Sequence, residues 1–308
     1  MPELPEVETV ARQLREGRKL RESRQEYVTD GAPGAAQSAI DRPSLIGRTI
    51  LETRVLWARE VGPMPAATFE QRACNCRVTA VSRHGKWLII ELTPIPNLQS
   101  QISSSLPSYM LVHLRMSGRL NVVPQAEAYS AHARVVWLLD EGWALRFDDA
   151  RKFGRVCLVD DPVSVTGRTG PDALQIGAAD FVQRITSRRG ALKPLLLNQA
   201  FIAGVGNIYA DESLFRAKLH PQRLAQSLTA AEALRLHEAI HKVLNDGVRA
   251  NGASFDWVYP GGNYQESFQV YGQTGKPCVA CGAPITRIIV GQRSTHFCAE
   301  CQRLEKGD

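Results

Sequence analysis

The chain has no apolar run of the roughly 20 residues that a membrane-spanning helix requires, which argues against a membrane partner. Its start, Met1-Pro2-Glu3-Leu4-Pro5-Glu6-Val7-Glu8, is acidic and proline-containing, without the basic and then apolar profile of a secretory signal. Seven cysteines make an odd number and no disulfide framework, so a reducing cytoplasm is the expected compartment. Nor is there an acidic excess. Net charge is +6, and residues 181–308 carry most of it: 15 Lys+Arg against 10 Asp+Glu, where residues 1–180 hold 22 against 21. A basic C-terminal part suits a polyanionic partner. Hydrophobic residues at 44% and charged residues at 22% exclude a disordered chain, and 308 residues suffice for two domains with real cores.

What is present begins at the N-terminus. Once Met1 is removed, Pro2 carries a free secondary amine, and such amines titrate near ~8. A nucleophile of this kind attacks a sugar C1′ to form an iminium, dividing one difficult step into two. Glu3 beside it is placed to move protons. The same residues also read as an ordinary helix start, which is the commoner arrangement. Pro5 suits the first turn, Glu6 and Glu8 complement the dipole, and Val7, Val10 and Leu14 form a core stripe ending at Gly17.

Beyond a small-residue loop at residues 31–38, strand patterns cover residues 49–59, 76–83, 86–93, 109–123, 134–140, 143–147 and 155–159. Turns are expected at Arg83-His84-Gly85 and Asp140-Glu141-Gly142. Short strands at this spacing predict an antiparallel β-sandwich, and residues 94–108, rich in Ser and Pro, form a surface insertion. The pattern weakens over residues 166–180, which read as a hinge. Helices follow. The clearest opens with a capping box at Thr229 and Glu232, continues through Leu236, Ile240 and Val243, and closes near Asn251-Gly252. Gly204-Val205-Gly206-Asn207 leads into another helix. It reads as a tight structural turn, or as a helix start offering free N–H groups to a phosphate. The fold class is therefore α+β: an N-terminal β-sandwich with an N-terminal helix over residues 1–165, the hinge, a helical domain over 181–268, and a metal-bearing hairpin over 269–308.

The strongest local signal is Cys278-x2-Cys281 and Cys298-x2-Cys301, with sixteen residues between the pairs. Four thiolates in this spacing predict one Zn²⁺, structural because no coordination position is left open. Gly282 and Gly291 permit the hairpin turns, Arg287 and Arg293 make it basic, and His296 is surplus to the metal. Cys74, Cys76 and Cys157 read as buried or half-buried thiols.

Taken in order, these segments resemble the formamidopyrimidine-DNA glycosylase family of bacteria, across nearly the whole chain. The resemblance rests on Met1 to Glu8, on Arg83-His84-Gly85-Lys86, on His113-Leu114-Arg115-Met116-Ser117-Gly118, on Asp149-Ala150-Arg151-Lys152-Phe153-Gly154, on Gly204 to Glu212 and on the four cysteines. It implies a β-sandwich followed by a helix–two-turn–helix domain and a zinc-finger hairpin. It also implies a monomer acting on damaged double-stranded DNA, with excision of oxidised purines and β,δ-elimination. Pro2 would be the nucleophile, Glu3 the acid/base and Lys86 a catalytic partner. His113, Asn207 and Arg293, with Lys86, would hold backbone phosphates. Met116, Arg151 and Phe153 would fill the space left by the flipped base. Without the resemblance, Met116 and Phe153 would be read as core, Arg151 as a surface charge and His113 as a satisfied strand histidine. Arg115 stands where the family usually has Gly, and Lys152 where it usually has a second Arg. Residues 253–269, with Trp257, Tyr259 and Tyr264, take the place of the family's lesion-covering loop and are shorter. Two other readings remain: an endonuclease VIII-like enzyme for oxidised pyrimidines or hydantoins, and a non-catalytic zinc-finger DNA-binding protein.

Overall fold

The computed structural model describes residues 1–18, 41–95, 109–254 and 261–304. The small-residue loop at 31–38, most of the 94–108 insertion, Trp257 and Tyr259 lie outside them. Helix α1 (Leu4–Glu16) has Pro5 in its first turn and ends at Gly17, whose φ of 76° is open chiefly to glycine. Strand β1 (Thr49–Val55) stops short of the expected Arg59, because Ala58–Glu60 form a 3-10 turn. Helix α2 (Ala66–Ala73) follows, and its eight residues carry too short an apolar repeat to be anticipated. Strands β2 (Cys76–His84) and β3 (Trp87–Pro94) pair through a turn at Gly85 and Lys86.

The segment read as one strand over 109–123 is two, β4 (Tyr109–His113) and β5 (Gly118–Pro124). Arg115 lies between them at φ 54°, a left-handed conformation that no strand contains. This explains why glycine is natural there and why alternation alone misreads the break. Strands β6 (Ala133–Leu139), β7 (Trp143–Asp149) and β8 (Arg155–Val159) complete the set.

All eight strands join one antiparallel ladder, ordered β5-β7-β6-β1-β2-β3-β4-β8. Strands from opposite ends of that order share a single core: Leu120 and Phe147 lie in the same buried cluster as Met110 and Val156. The two layers therefore come from one sheet folded over itself. Consecutive strands β4 and β5 end up at far positions in the ladder but adjacent in space.

The second half is helical: a short α3 (Val163–Thr166), α4 (Ala178–Thr186), α5 (Leu192–Leu197), α6 (Asn207–Arg216) and α7 (Ala230–Arg249). The Thr229–Glu232 capping box is present. A separate apolar cluster contains Phe181, Leu196, Tyr209, Leu236 and Leu244. The last unit is the hairpin β9 (Ile285–Val290) and β10 (Arg293–Cys298), closed by Gly291 and Gln292, both at positive φ as a tight hairpin turn requires.

Helix α1 belongs to both halves. Val7, Val10, Ala11 and Leu14 pack in the sheet core, whereas Leu4 packs in the helical core. Burial of a leucine is worth about 1.5–3 kcal/mol, so Leu4 and Leu14 fasten the helix at opposite ends. The chain's first residues are thereby held at the seam.

Candidate active site and nucleic-acid interface

The seam is built by close backbone approach. Leu4 N–H donates to the Gly204 carbonyl at 3.1 Å. A Cβ at Gly206 would lie 2.2 Å from Glu3 Cδ, one at Gly204 2.5 Å from Leu4, and one at Gly85 2.7 Å from Ala203 Cβ. The glycines of the 204–206 turn and of the β2–β3 turn are there because the N-terminus and the helical domain touch at van der Waals distance.

Glu3 is buried, and its carboxylate takes the first turn of α6. Ile208 N–H donates to Oε1 at 3.1 Å and Tyr209 N–H to Oε2 at 3.3 Å. The turn's free N–H groups are therefore not all available to a phosphate: two serve a carboxylate of the protein itself, which the helix dipole also favours. Burial pushes the Glu3 carboxyl above its usual range, opposed first by the charge of Lys86 and then by these two N–H groups.

Lys86 sits at a hairpin tip yet is buried, because that tip abuts residues 203–204. Burial lowers its pKa, Arg293 and Arg115 push the same way, and Glu3 and Glu6 oppose. His113 pairs with Trp87 across β3–β4, the rings edge to face at 4.9 Å. Its Nδ1 accepts the Arg115 N–H at 3.1 Å. Burial, then Arg115 and Lys86, push the ring down to about 3. His113 is thus neutral across the physiological range, with its proton on Nε2, and acts as a donor rather than a cation.

Glu6 does more than complement the helix dipole. Its Oε1 accepts Tyr209 Oη–H at 2.8 Å and Ala253 N–H at 2.7 Å, and its Oε2 accepts Glu3 N–H at 2.7 Å. One carboxyl therefore ties the peptide after Pro2 to α6 and to the start of the 253–269 segment. Burial, with Glu3 nearby, raises it to about 7. The i to i+3 spacing of Glu3 and Glu6 was the available signal.

The two loops expected to fill the vacated stack, residues 114–117 and 150–154 (the insertion loops), converge on Asp149. This fully buried carboxylate accepts Ser117 Oγ–H, Arg151 N–H at 3.2 Å, Phe153 N–H at 2.9 Å and Gly154 N–H at 2.7 Å. Met116 and Phe153 are not core, as their apolarity alone suggested. They are 39% and 50% exposed, and the Arg151 guanidinium lies 5.3 Å from the Phe153 ring centre. Large apolar side chains held outward by a buried clamp suit insertion into another molecule.

Asn207 opens α6 and donates through Nδ2 to the Ser294 carbonyl at 3.1 Å, next to Arg293 on the hairpin. The fully buried Lys193 donates to the same carbonyl at 2.7 Å and pairs with Asp211 at 2.6 Å. Asp211 also accepts the His296 backbone N–H at 2.9 Å and meets the ring Nδ1 at 3.2 Å. His296 thus packs as part of this network, which seats the hairpin on α5 and α6. Arg287 projects from the same hairpin and bonds Ser294 Oγ at 2.8 Å. Cys76 is buried, and Cys74 and Cys157 are half-buried, as expected.

The four hairpin cysteines have their Sγ atoms within 4.8 Å of one another, with Cys278–Cys301 at 3.9 Å and Cys281–Cys298 at 3.5 Å. Tetrahedral zinc with bonds near ~2.3 Å places sulfurs about 3.8 Å apart, so the set fits one Zn²⁺. Among the described residues no other His, Cys, Asp and Glu group of three or more gathers in this way.

Three family models match in register with this architecture: the formamidopyrimidine-DNA glycosylase N-terminal domain over residues 35–156, its H2TH domain over 169–257, and the zinc finger found in FPG and IleRS over 275–304. The formamidopyrimidine-DNA glycosylase of Herpetosiphon aurantiacus is 39% identical over 311 residues, covering 98% of this chain and all of the relative. That of Chloroflexus aggregans is 39% identical, covering 99% of each chain. The chain belongs to the formamidopyrimidine-DNA glycosylase family. Its enzyme class, a DNA glycosylase of base-excision repair, and its single structural zinc follow from that membership together with the cysteine geometry. Solved Lactococcus lactis structures share the fold at 28% identity, covering 98% of this chain. One is a complex with N7-benzyl-Fapy-dG DNA, at a TM-score of 0.79, and another is a complex with oxidised-pyrimidine DNA, at 0.78. Among the described residues no helix is long and apolar enough to cross a membrane.

Proposed function

We infer that the protein excises oxidised purines, including 8-oxoguanine and formamidopyrimidines, from double-stranded DNA and then nicks the strand. After removal of Met1, the Pro2 nitrogen donates its lone pair to C1′. The C1′–base bond breaks, and the base departs with that electron pair and gains a proton. Opening of the sugar ring at O4′, with a second proton, leaves an iminium between Pro2 and C1′. Loss of a C2′ proton then expels the 3′ phosphate, and a second elimination expels the 5′ phosphate. Glu3 moves the protons. Lys86, His113, Asn207 and Arg293 hold phosphates of the kinked strand. Met116, Arg151 and Phe153 occupy the vacated stack, the guanidinium facing the orphaned cytosine. The zinc braces the hairpin that carries Arg293. In this reading the chain acts as a monomer in the cytoplasm, with residues 1–165 as the catalytic domain, 166–180 as the hinge, 181–268 as the DNA-binding helical domain and 269–308 as the zinc finger.

The observation that carries this reading is Glu3. A buried carboxyl beside a potential terminal amine, raised by desolvation and opposed by Lys86, is a group tuned for proton transfer. Activity on oxidised pyrimidines as well is favoured by the relative bound to oxidised-pyrimidine DNA.

The test is borohydride trapping with an 8-oxoguanine duplex. The adduct is expected on Pro2 by mass spectrometry. A retained N-terminal tag, which turns the Pro2 nitrogen into an amide, is expected to abolish trapping and base release while duplex binding persists. Full activity with the tag in place, or an adduct on Lys86, identifies a different nucleophile.

A further inference from the structure

Glu60 is fully buried, and neither of its carboxyl oxygens has a hydrogen-bond partner among the described residues. It closes the 3-10 turn Ala58–Glu60, a segment with no part in the chemistry above. That turn and the preceding Trp57 touch the 150–155 region at three points. The Lys152 Nζ lies 3.7 Å from the centre of the Trp57 ring. Arg155 donates to the Arg59 carbonyl at 3.2 Å. Glu60 itself lies against Gly154, where an added Cβ would stand 2.8 Å from Glu60 Oε2.

The geometry points to residues 57–60 as a platform, with Glu60 as a positioning residue, that sets the Arg151–Phe153 loop for entry into DNA. This rests on the reading that Arg151 and Phe153 fill the vacated stack. Asp149 accepts from four donors, whereas Glu60 faces it with no donor among the described residues. Two buried anions side by side cost energy unless one is protonated or hydrated. With its proton, Glu60 packs as a neutral group beneath Gly154. Without it, the loop has to lift to admit water.

The charged groups facing Glu60 are Asp149 at the end of β7, Arg155 on β8, Arg134 on β6 and Lys152 in the loop itself. Burial and then Asp149 raise the carboxyl to about 7, against the three cations. The seated loop therefore binds the proton more tightly than the lifted loop does. Its advantage is full at low pH and is lost as pH rises through about 7, weakening by about tenfold between pH 6 and 8 for one such group.

The test uses full-length, zinc-loaded protein and a duplex containing a stable tetrahydrofuran abasic site beside 2-aminopurine, whose fluorescence rises when the wedge unstacks it. Affinity and the fluorescence step are measured from pH 6 to 8. Wild type is expected to weaken about tenfold more than Glu60→Gln over that range. Lys152→Met is expected to lower the step at every pH and, by removing one of the cations that face Glu60, to move the midpoint of the pH profile upward. Phe153→Ala is expected to abolish the step. If Phe153→Ala keeps it, the stack-filling reading fails and the platform fails with it. If Phe153→Ala loses the step but wild type and Glu60→Gln have the same pH profile, the platform alone is wrong. Should Glu60→Gln not melt cooperatively, hydrogen exchange of the 150–155 amides in wild type decides: protection unchanged between pH 6 and 8, after correction for intrinsic rates, overturns the proposal.

Discussion

Glu3 has two tasks that compete for one carboxylate. It caps the start of α6 through two separate oxygens, and it stands next to the residue proposed as nucleophile. Glu3→Gln separates them. The amide keeps one acceptor and turns an N–H₂ toward a backbone N–H, which costs about 1–3 kcal/mol for the orphaned donor. Loss of proton transfer lowers base release by about 10²–10⁴-fold. Thermal melting and single-turnover excision measure the two losses independently. Wild-type excision in a variant that melts at lower temperature would leave Glu3 with the cap alone. His113 illustrates the same scale. Its neutral state follows from burial beside Arg115 and Lys86 and not from its residue type, which alone suggests a pH switch near neutrality.

At the scale of elements, the insertion loops and the hairpin are each held by something outside themselves. The loops depend on Asp149. Its place at the head of the insertion motif was visible in the sequence, but its four donors come from two strands' ends and were not. The hairpin depends on metal and on the Lys193–Asp211–His296 network, because its own apolar contribution is small: Ile285, Val290, Phe297 against His220, and two cysteines packed on Phe215 and Val270. A two-stranded ribbon of this size is marginal alone. Cys298→Ser is therefore expected to lose zinc and most duplex affinity together, while α7 and the sheet keep their circular dichroism. Zinc content and affinity both unchanged would show that the metal does not carry the hairpin.

At the scale of the molecule, the segment proposed as the hinge makes a fixed contact with the sheet half at Asp172. Asp172 accepts hydrogen bonds from Arg83 and from the Gly85 N–H at 2.7 Å where the β2–β3 turn meets the helical half, and from the neighbouring Leu174 N–H at 3.0 Å. His84 Nε2 meets Thr169 Oγ1 at 2.9 Å beside it. Arg83 keeps Glu8 at 2.7 Å when the Asp172 charge is lost, so the cost stays below the ~3–5 kcal/mol of a fully stranded buried charge. Asp172→Asn is expected to lower the melting temperature by roughly 2–4 °C per kcal/mol and to slow trapping of the DNA adduct, since the turn that carries Lys86 loses its anchor. Trapping at the wild-type rate in a destabilised variant would separate the clasp from the chemistry.

The sequence by itself determined the parts that depend on local pattern or covalent spacing. These are α1 and its glycine stop, the Thr229 capping box, most of the strands, the four-thiolate set, and the residue types a Schiff-base enzyme needs. Such features are legible because helix caps, period-two alternation and Cys-x2-Cys spacing act over a few residues. Only the tertiary structure decided which side chains meet across long separations. It gave two helix N–H groups to Glu3 instead of leaving both for phosphate. It also turned Met116 and Phe153 outward, broke the 109–123 segment at a left-handed Arg115, and buried Glu6, Glu60 and Lys86 deeply enough to shift their ionisation. The reason is physical. Burial and charge pairing are properties of the packed molecule, and no window of neighbouring residues contains them.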